Sequence, residues 1–165
     1  MSEADRRDDF EDDVRTALFR PSGELRRLQF RLMGFAIGLA LLVTLAPTWL
    51  TTRSEYARAG TRIYSGISLF GLTPGSDSPM GALGTVLFLL YLLLALGLLV
   101  TAPETVFALV AGIAGLVVTF MVVVNQPEKD ESVHVDWTGA PTVALGLWLL
   151  AVVVAGVART TTRAG

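Results

Sequence analysis

Four long stretches without a charged residue dominate this chain of 165 residues. A helix that crosses a bilayer needs about 20 predominantly apolar residues, and four windows meet or approach that length. Helices of a soluble bundle would carry a polar stripe on the face turned to water, and none of these windows has one. The sequence therefore predicts an all-α membrane protein, a four-helix transmembrane bundle with spans at 32–50, 80–100, 106–124 and 141–158.

The charged residues are concentrated at the amino terminus, where residues 1–31 hold fifteen of the twenty-eight charges in the chain. Within this segment, residues 8–20 place apolar side chains on one side of a predicted helix, with acids before arginines as the helix dipole favours. The chain thus divides into a charged, amphipathic amino-terminal segment 1–31, a transmembrane domain 32–158 and a tail 159–165. The loops 51–79 and 125–140 connect the spans on the outer side.

The distribution of basic residues predicts which way the spans run. An even number of spans places both termini on one side, and that side carries nine of the thirteen basic residues. Because an excess of basic residues marks the cytoplasmic side, both termini are predicted to be cytoplasmic, in a multi-pass protein of the plasma membrane. Trp49 and Trp137 then fall at the outer interface and are predicted to be interface anchors, since indole rings favour the headgroup boundary.

Two outer segments have the composition of β-strands. Ser132–Trp137 alternates between apolar and polar residues, which is the period-two pattern of a strand. Thr61–Phe70 is rich in β-branched and aromatic residues, which favours a strand that continues through Ser65–Phe70. Because isolated strands would expose unpaired backbone groups, the sequence predicts a small extracytoplasmic β cap over the bundle, with Thr51–Tyr56 as a third strand.

Two short segments set boundaries of the predicted spans. Pro47 lies one turn before the outer end of the first span and is expected to kink or taper it. Only Thr101–Glu104 separates the second span from the third, which forces an antiparallel helical hairpin. Thr101 and Glu104 have the spacing of a capping box, so the third helix is predicted to begin directly there.

Small residues supply the predicted contacts between helices, because close packing drives helix association in lipid. Gly34 and Gly38 form a GxxxG pair in the first span, and Gly112 and Gly115 lie in the third. Two interpretations of these helix-packing glycines stay open. They pack the spans of a single bundle against one another, which is the favoured interpretation, or Gly34 and Gly38 form a seam between two copies of the chain.

Reactive side chains are scarce. No Asp, Glu, Lys, Arg or His lies inside any predicted span, whereas ion-coupled carriers, proton relays and voltage sensors usually need such groups. The chain has no cysteine, which excludes disulfides and thiolate sites. His134 and Asp136 are the candidate metal ligands, but a single imidazole without a thiolate is a weak ligand set for zinc. We predict no metal, no cofactor, no catalytic residue and no enzymatic activity, and a net charge of −2 predicts no nucleic-acid partner.

The arrangement resembles two kinds of protein. Four spans with cytoplasmic termini, Trp49 at the end of the first span and the GLWLL of Gly146–Leu150 are similar to small uncharacterised four-span membrane proteins of GC-rich prokaryotes. The topology of residues 32–158 also resembles the claudin type, in which an outer sheet caps a four-helix bundle. Claudins carry a Trp, Gly-Leu-Trp and paired-cysteine signature, of which only Trp49 and the FGL of Phe70–Leu72 occur here. The resemblance implies a topology and transfers neither adhesion nor pore formation.

These features predict a non-enzymatic integral membrane protein that acts as an accessory or scaffolding subunit through its outer cap or its charged tail. The alternative is a small transporter or channel subunit that oligomerises through Gly34 and Gly38. The predicted partners are the lipid bilayer and either another protein or further copies of the chain.

Overall fold

The computed structural model describes residues 23–54, 61–69, 81–125 and 133–163. The predicted amphipathic helix at residues 8–20 therefore lies outside the described residues. In chain order the elements are helix α1, strands β1 and β2, the short helix α2, helices α3 and α4, strand β3 and helix α5. Their bounds are Gly23–Val43, Thr48–Ser54, Thr61–Ser65, Gly66–Leu69, Gly81–Val100, Val106–Val124, Val133–Trp137 and Ala140–Arg163.

Three of the described helices are long and apolar enough to cross a membrane. The qualifying segments lie in α3, α4 and α5, at Ala82–Val100, Val106–Val124 and Ala140–Thr161. Their outward side chains are large and apolar, as with the exposed Leu93, Phe120 and Leu149. An apolar surface this extensive marks contact with lipid or protein, so these helices indicate a membrane protein.

The first predicted span differs from the observed helix. Helix α1 ends at Val43 rather than at Leu50, and the chain enters β1 at Thr48. The helix ends early because Pro47 has no N–H to donate and forces the residue before it out of the helical region. Pro47 thus terminates α1 and lies beyond it, so the expectation that it kinks or tapers a helix running to Leu50 was wrong. The first half of α1 carries Arg26, Arg27 and Arg31. Helix α1 does not belong to the three described helices that are long and apolar enough to cross a membrane.

The four long helices form a closed ring in which each packs on two neighbours. Helix α1 packs on α3 and α5, and α4 also packs on α3 and α5. The predicted helical hairpin is formed by α3 and α4, but the predicted capping box is wrong. Thr105 is the N-cap of α4 and accepts a hydrogen bond from the Ala108 N–H. Thr101 instead donates its hydroxyl to the Gly97 carbonyl at 2.7 Å and so belongs to the end of α3.

The four predicted packing glycines all face other parts of the same chain. A Cβ placed on Gly34 would lie 3.7 Å from Pro103, and one on Gly38 would lie 3.0 Å from Leu99. A Cβ on Gly112 would lie 2.8 Å from Val152, and one on Gly115 would overlap the indole ring of Trp148. These glycines therefore let helix backbones approach closely within one bundle, and Gly34 and Gly38 are already in use there.

A three-stranded antiparallel sheet closes one end of the ring, in the order β2–β1–β3. The predicted cap sheet is thus present, and the segment expected as a third strand is its centre. Strand β2 ends at Ser65, so the prediction that it continues through Ser65–Phe70 was wrong; residues Gly66–Leu69 form α2. The chain here lies against the segment that follows α1, where a Cβ on Gly66 would lie 2.9 Å from the Leu45 backbone. The chain must turn inward at this glycine, and only a residue without a side chain allows so close an approach.

We expect Gly115→Ala to destabilise the bundle, because the added methyl group has no room beside Trp148. Overpacking of this kind costs about 1–3 kcal/mol. The matched control is Gly146→Ala in α5, where a Cβ would meet nothing within 4 Å. The free energy of unfolding, measured by denaturant titration in bicelles, should fall for the first variant only; an equal effect of both would contradict the packing described here.

Candidate functional site

The junction between the sheet and the helices is the part of the molecule where polar and aromatic side chains meet. We call β1, β2, β3 and α2 together the cap. The register between β1 and β2 shifts at Trp49, since Thr48 pairs with Ser65 and Leu50 pairs with Tyr64. A bulge of this kind redirects a side chain, and both Trp49 and Leu50 are fully buried.

The end of α1 leaves backbone carbonyls that need partners, as every helix end does. The last turn tightens, so that the Leu45 N–H donates to the Leu42 carbonyl at 3.2 Å rather than to that of Leu41. The Leu41 carbonyl accepts instead from the Thr44 hydroxyl at 2.6 Å. It also accepts from the Tyr91 hydroxyl of α3 at 3.1 Å. A hydroxyl from a neighbouring helix therefore completes the end of α1.

The next carbonyls are satisfied by the cap. The Trp49 indole N–H donates to the Thr44 carbonyl at 2.6 Å. The Ile67 N–H of α2 donates to the Leu45 carbonyl at 3.3 Å. Because an unpaired carbonyl in an apolar environment costs several kcal/mol, the end of α1 is stable only when the cap is docked on it.

Aromatic rings extend this contact across the bundle. The ring of Tyr91 meets Trp49 edge-on, with centroids 6.3 Å apart and an interplanar angle of 79°. On its other side Tyr91 meets Trp148 of α5, at 5.4 Å and 85°. Edge-to-face pairs at these distances add about 0.5–1.5 kcal/mol each beyond their burial. We call Leu41, Thr44, Trp49, Tyr91 and Trp148 the anchor cluster, and it joins β1, α1, α3 and α5.

A second contact ties the cap to α5. The Thr138 hydroxyl donates to the Thr48 carbonyl of β1. The Thr138 N–H donates to the Trp49 carbonyl at 3.0 Å. The Thr138 hydroxyl also accepts a hydrogen bond from the N–H of Ala140, the first residue of α5, at 3.2 Å. Thr138 thus lies at the entry to the last helix and fixes that helix to the central strand.

A shallow groove of about 440 Å³ opens beside this junction, between the end of α1 and the start of α5. Its lining is almost wholly apolar and comprises Thr44, Pro47, Thr48, Thr138, Gly139, Ala140 and Val143. None of these side chains titrates near neutral pH, so the groove offers no general acid or base.

The two faces of the sheet differ in character. Leu50 and Thr52 of β1 are buried, and Tyr64 opposite Leu50 packs against the core. Side chains alternate along a strand, so Thr51 and Arg53 point to the opposite face. Ile63 lies opposite Thr51 and points to the same face as Thr51. Arg53 and Ile63 are exposed. The face that carries Leu50 and Thr52 is therefore the covered one, and the face that carries Arg53 and Ile63 is exposed.

The candidate metal ligands lie on β3. The register places His134 opposite Arg53, and Asp136 opposite Thr51. Asp136 is exposed. No group of three or more potential metal ligands occurs among the described side chains. The acidic residues 128, 130 and 131 of the preceding loop lie outside the described ranges.

The predicted interface tryptophans have different environments. Trp49 is 0% exposed, and its indole N–H is used within the chain. Trp137 is half-buried and lies opposite Leu50, on the inner face of the sheet. Its indole N–H has no hydrogen-bond partner among the described residues, and the same holds for the fully buried Trp148. The anchoring role of both predicted residues stays a prediction.

The anchor cluster was not predicted as a unit. Thr44 and Tyr91 stand out in the sequence only as polar residues within apolar segments, and Trp148 only as part of GLWLL. The sequence signal that could have indicated the cluster is that a hydroxyl in an apolar helix needs a hydrogen-bond acceptor. The acceptor of these hydroxyls, the Leu41 carbonyl, becomes available because α1 ends before Pro47, whereas the apolar pattern continues to Leu50.

Comparisons with family models, with curated proteins and with solved structures find no match. The functional argument therefore rests on the geometry of the cap and its anchor cluster.

We expect Trp49→Phe to destabilise the protein more than Trp148→Phe. Both rings are fully buried, so the loss of bulk is comparable. Only the first variant also leaves the Thr44 carbonyl without its donor, and an unsatisfied buried acceptor costs about 1–3 kcal/mol. Unfolding free energies measured in bicelles should differ by that amount; equal losses would show that the hydrogen bond contributes nothing to the junction.

Proposed function

We propose that this chain is a non-enzymatic accessory or scaffolding subunit of the plasma membrane, which holds its β cap rigidly on the outer side for a protein partner. The observation that supports this function is the anchor cluster. It ties the central strand to three helices, with Trp49 fully buried and hydrogen-bonded to the Thr44 carbonyl. A bundle that fixes a small sheet in one orientation is suited to presenting that sheet.

The proposal includes α1 as a fourth span. Six of the large exposed apolar side chains of α1, though not Met33, follow one another along a stripe from Leu25 to Val43. At 1.5 Å per residue this stripe is about 27 Å long, which approaches the 30 Å of a bilayer core. By helical periodicity Arg26 and Arg27 lie off the stripe, whereas Arg31 lies at its border beside Leu28 and Phe35. In a span these arginine stems would extend towards the headgroups. The stripe comprises Leu25, Leu28, Leu32, Phe35, Leu39 and Val43.

The orientation is supported by the ends of the helices. The α3–α4 link lies beside α1 near Gly34, at the end of the bundle opposite the cap. Arg26, Arg27 and Arg31 precede this level in α1, and Arg159 lies near the end of α5. A basic excess at one end favours that end as cytoplasmic, with both termini there and the cap outside. The claudin-type arrangement of a sheet over four helices agrees with this placement.

The outer face of the cap is the proposed partner surface. Arg53 on the central strand and Asp136 on β3 are exposed there, and neither takes part in the anchor cluster. Rim charges of opposite sign steer and orient a partner more than they add affinity. The opposed alternative, an oligomeric channel with its seam at Gly34 and Gly38, is disfavoured because both glycines face residues of the same chain.

Thiol labelling tests the orientation. Because the chain has no cysteine, a single substitution reports one position. Ile67→Cys in the cap should react with a membrane-impermeant maleimide on intact cells, since that side chain is 44% exposed. Glu104→Cys in the α3–α4 link should react only after permeabilisation. The reverse pattern would overturn the orientation.

Co-purification in mild detergent tests the function. We expect a heterologous protein to be retained by the wild-type chain and to be lost, by tenfold or more, from the double variant Arg53→Glu with Asp136→Lys. Glu104→Lys is the control, because it changes charge at the opposite end of the bundle. A chain that purifies alone and conducts ions in liposomes would contradict the accessory function and favour the channel.

A further inference from the structure

We infer that an anionic phospholipid binds in a second groove, at the end of the bundle opposite the cap, with its phosphate on Arg159. This groove lies between the start of α4 and the end of α5 and has a volume of about 260 Å³. Its lining comprises Leu109, Gly156, Arg159 and Thr160. The inference goes beyond the proposed function, because that function uses the cap and a protein partner, whereas this site takes a lipid at the other end.

The pairing of α4 with α5 indicates the depth of the groove in a membrane. The two helices run antiparallel, with Gly112 of α4 facing Val152 of α5. The same register places Arg159 beside Thr105, the N-cap of α4. The apolar segment of α4 that could cross a membrane begins at the next residue. Arg159 therefore lies at the boundary between the apolar core and the headgroups, where lipid phosphates are found.

Apolar and basic groups follow one another along the groove in the order that a phospholipid requires. Leu109 and Gly156 lie about one helical turn closer to the bilayer centre than Arg159 does. A Cβ on Gly156 would meet nothing within 4 Å, so this inner end of the groove is open. An acyl chain can follow the apolar inner end while the phosphate stays at the outer end beside the arginine. A free phosphate ion would use the outer end alone.

Arg159 supplies the donors for the phosphate. It is half-buried, so its charge is screened less than that of a fully exposed arginine. A guanidinium has five N–H donors in a planar fork, so it can bind a phosphate in addition to the interaction that it makes within the chain. The Thr160 hydroxyl is already used, because it donates to the Val157 carbonyl at 2.9 Å.

The charge of the groove favours an anionic headgroup over a zwitterionic one. Among the described residues that line the groove, Arg159 is the one charged side chain. Glu104, which precedes the N-cap of α4, does not line it. A phosphatidylcholine would bring a cation of its own beside the guanidinium, whereas a phosphatidylglycerol would not. Basic pockets between membrane helices bind anionic headgroups for this reason.

Native mass spectrometry of the full chain tests the inference. The chain is released from vesicles that hold equal amounts of phosphatidylglycerol and phosphatidylcholine with identical acyl chains. The wild-type chain should retain mainly phosphatidylglycerol, and Arg159→Gln should lower that retention about fivefold, the effect of one basic residue at an anionic surface. Arg27→Gln is the matched control, because Arg27 is an exposed arginine near the same end of the bundle. Equal losses from both variants would show a general attraction of basic residues and overturn the inference.

A variant that keeps the charge tests the groove itself. Gly156→Leu should fill the inner end and lower the retention of phosphatidylglycerol, although Arg159 is intact. Gly139→Leu near the other end of α5 is its control, because a Cβ there also meets nothing within 4 Å. Both leucines are therefore accommodated by the fold. Undiminished retention by Gly156→Leu would overturn the inference.

Competition identifies the source of the phosphate. An excess of inorganic phosphate should leave phosphatidylglycerol in place, since the free ion cannot use the apolar inner end. Displacement of the lipid would show a site for a free anion and overturn its assignment to a lipid. This measurement involves neither the cap nor a protein partner. Failure of lipid retention therefore refutes this inference alone, and absence of a heterologous partner in co-purification refutes the proposed function alone.

Discussion

The hydrogen bond from the Trp49 indole to the Thr44 carbonyl, at 2.6 Å, is the contact on which the architecture depends. It pairs a backbone group at the end of α1 with a side chain from β1. A bulge at Trp49 makes this possible, because it turns the indole into the bundle while Leu50 keeps its place in the ladder. Without it, a buried carbonyl at the helix end would have no partner, and the sheet would lose its deepest contact with the helices.

The same region explains why the helices and the sheet form one unit. The Tyr91 hydroxyl completes the end of α1 from α3, and Trp148 reaches Tyr91 from α5. Trp148 in turn fits against α4 because Gly115 has no side chain. The Tyr91 hydroxyl, the Trp148 ring and the space beside Gly115 therefore link α1, α3, α5 and α4 to one another. The central strand of the sheet is thereby fixed to the helices at Thr48 and Trp49.

The apolar helices α3, α4 and α5 could be predicted from the sequence within two residues at their amino-terminal ends, because the length of an apolar run is a local property. The end of α1 could not be predicted in this way. Leu45 and Leu50 are as apolar as the residues before them, and both are buried by protein. Composition does not distinguish burial in protein from burial in lipid.

The sheet shows the same division between local and distant information. The alternation of Ser132–Trp137 identifies β3, but its neighbour β1 lies far away in sequence, so the strand order depends on how the helices pack. The sequence identifies Gly34 and Gly38 as packing positions. Only the structure shows that they face Pro103 and Leu99 of the same chain. The assembly of the anchor cluster depends on the same tertiary contacts.

The central position of β1 has a consequence for biogenesis. Its partner β2 follows immediately in the chain, whereas β3 ends at Trp137, after two further long helices. At a synthesis rate of about 5–20 residues per second, roughly 4–17 s separate the emergence of β1 from that of β3. During that interval one side of β1 has no strand beside it. The last helix is fixed to the central strand only once Thr138 has reached the carbonyls of Thr48 and Trp49.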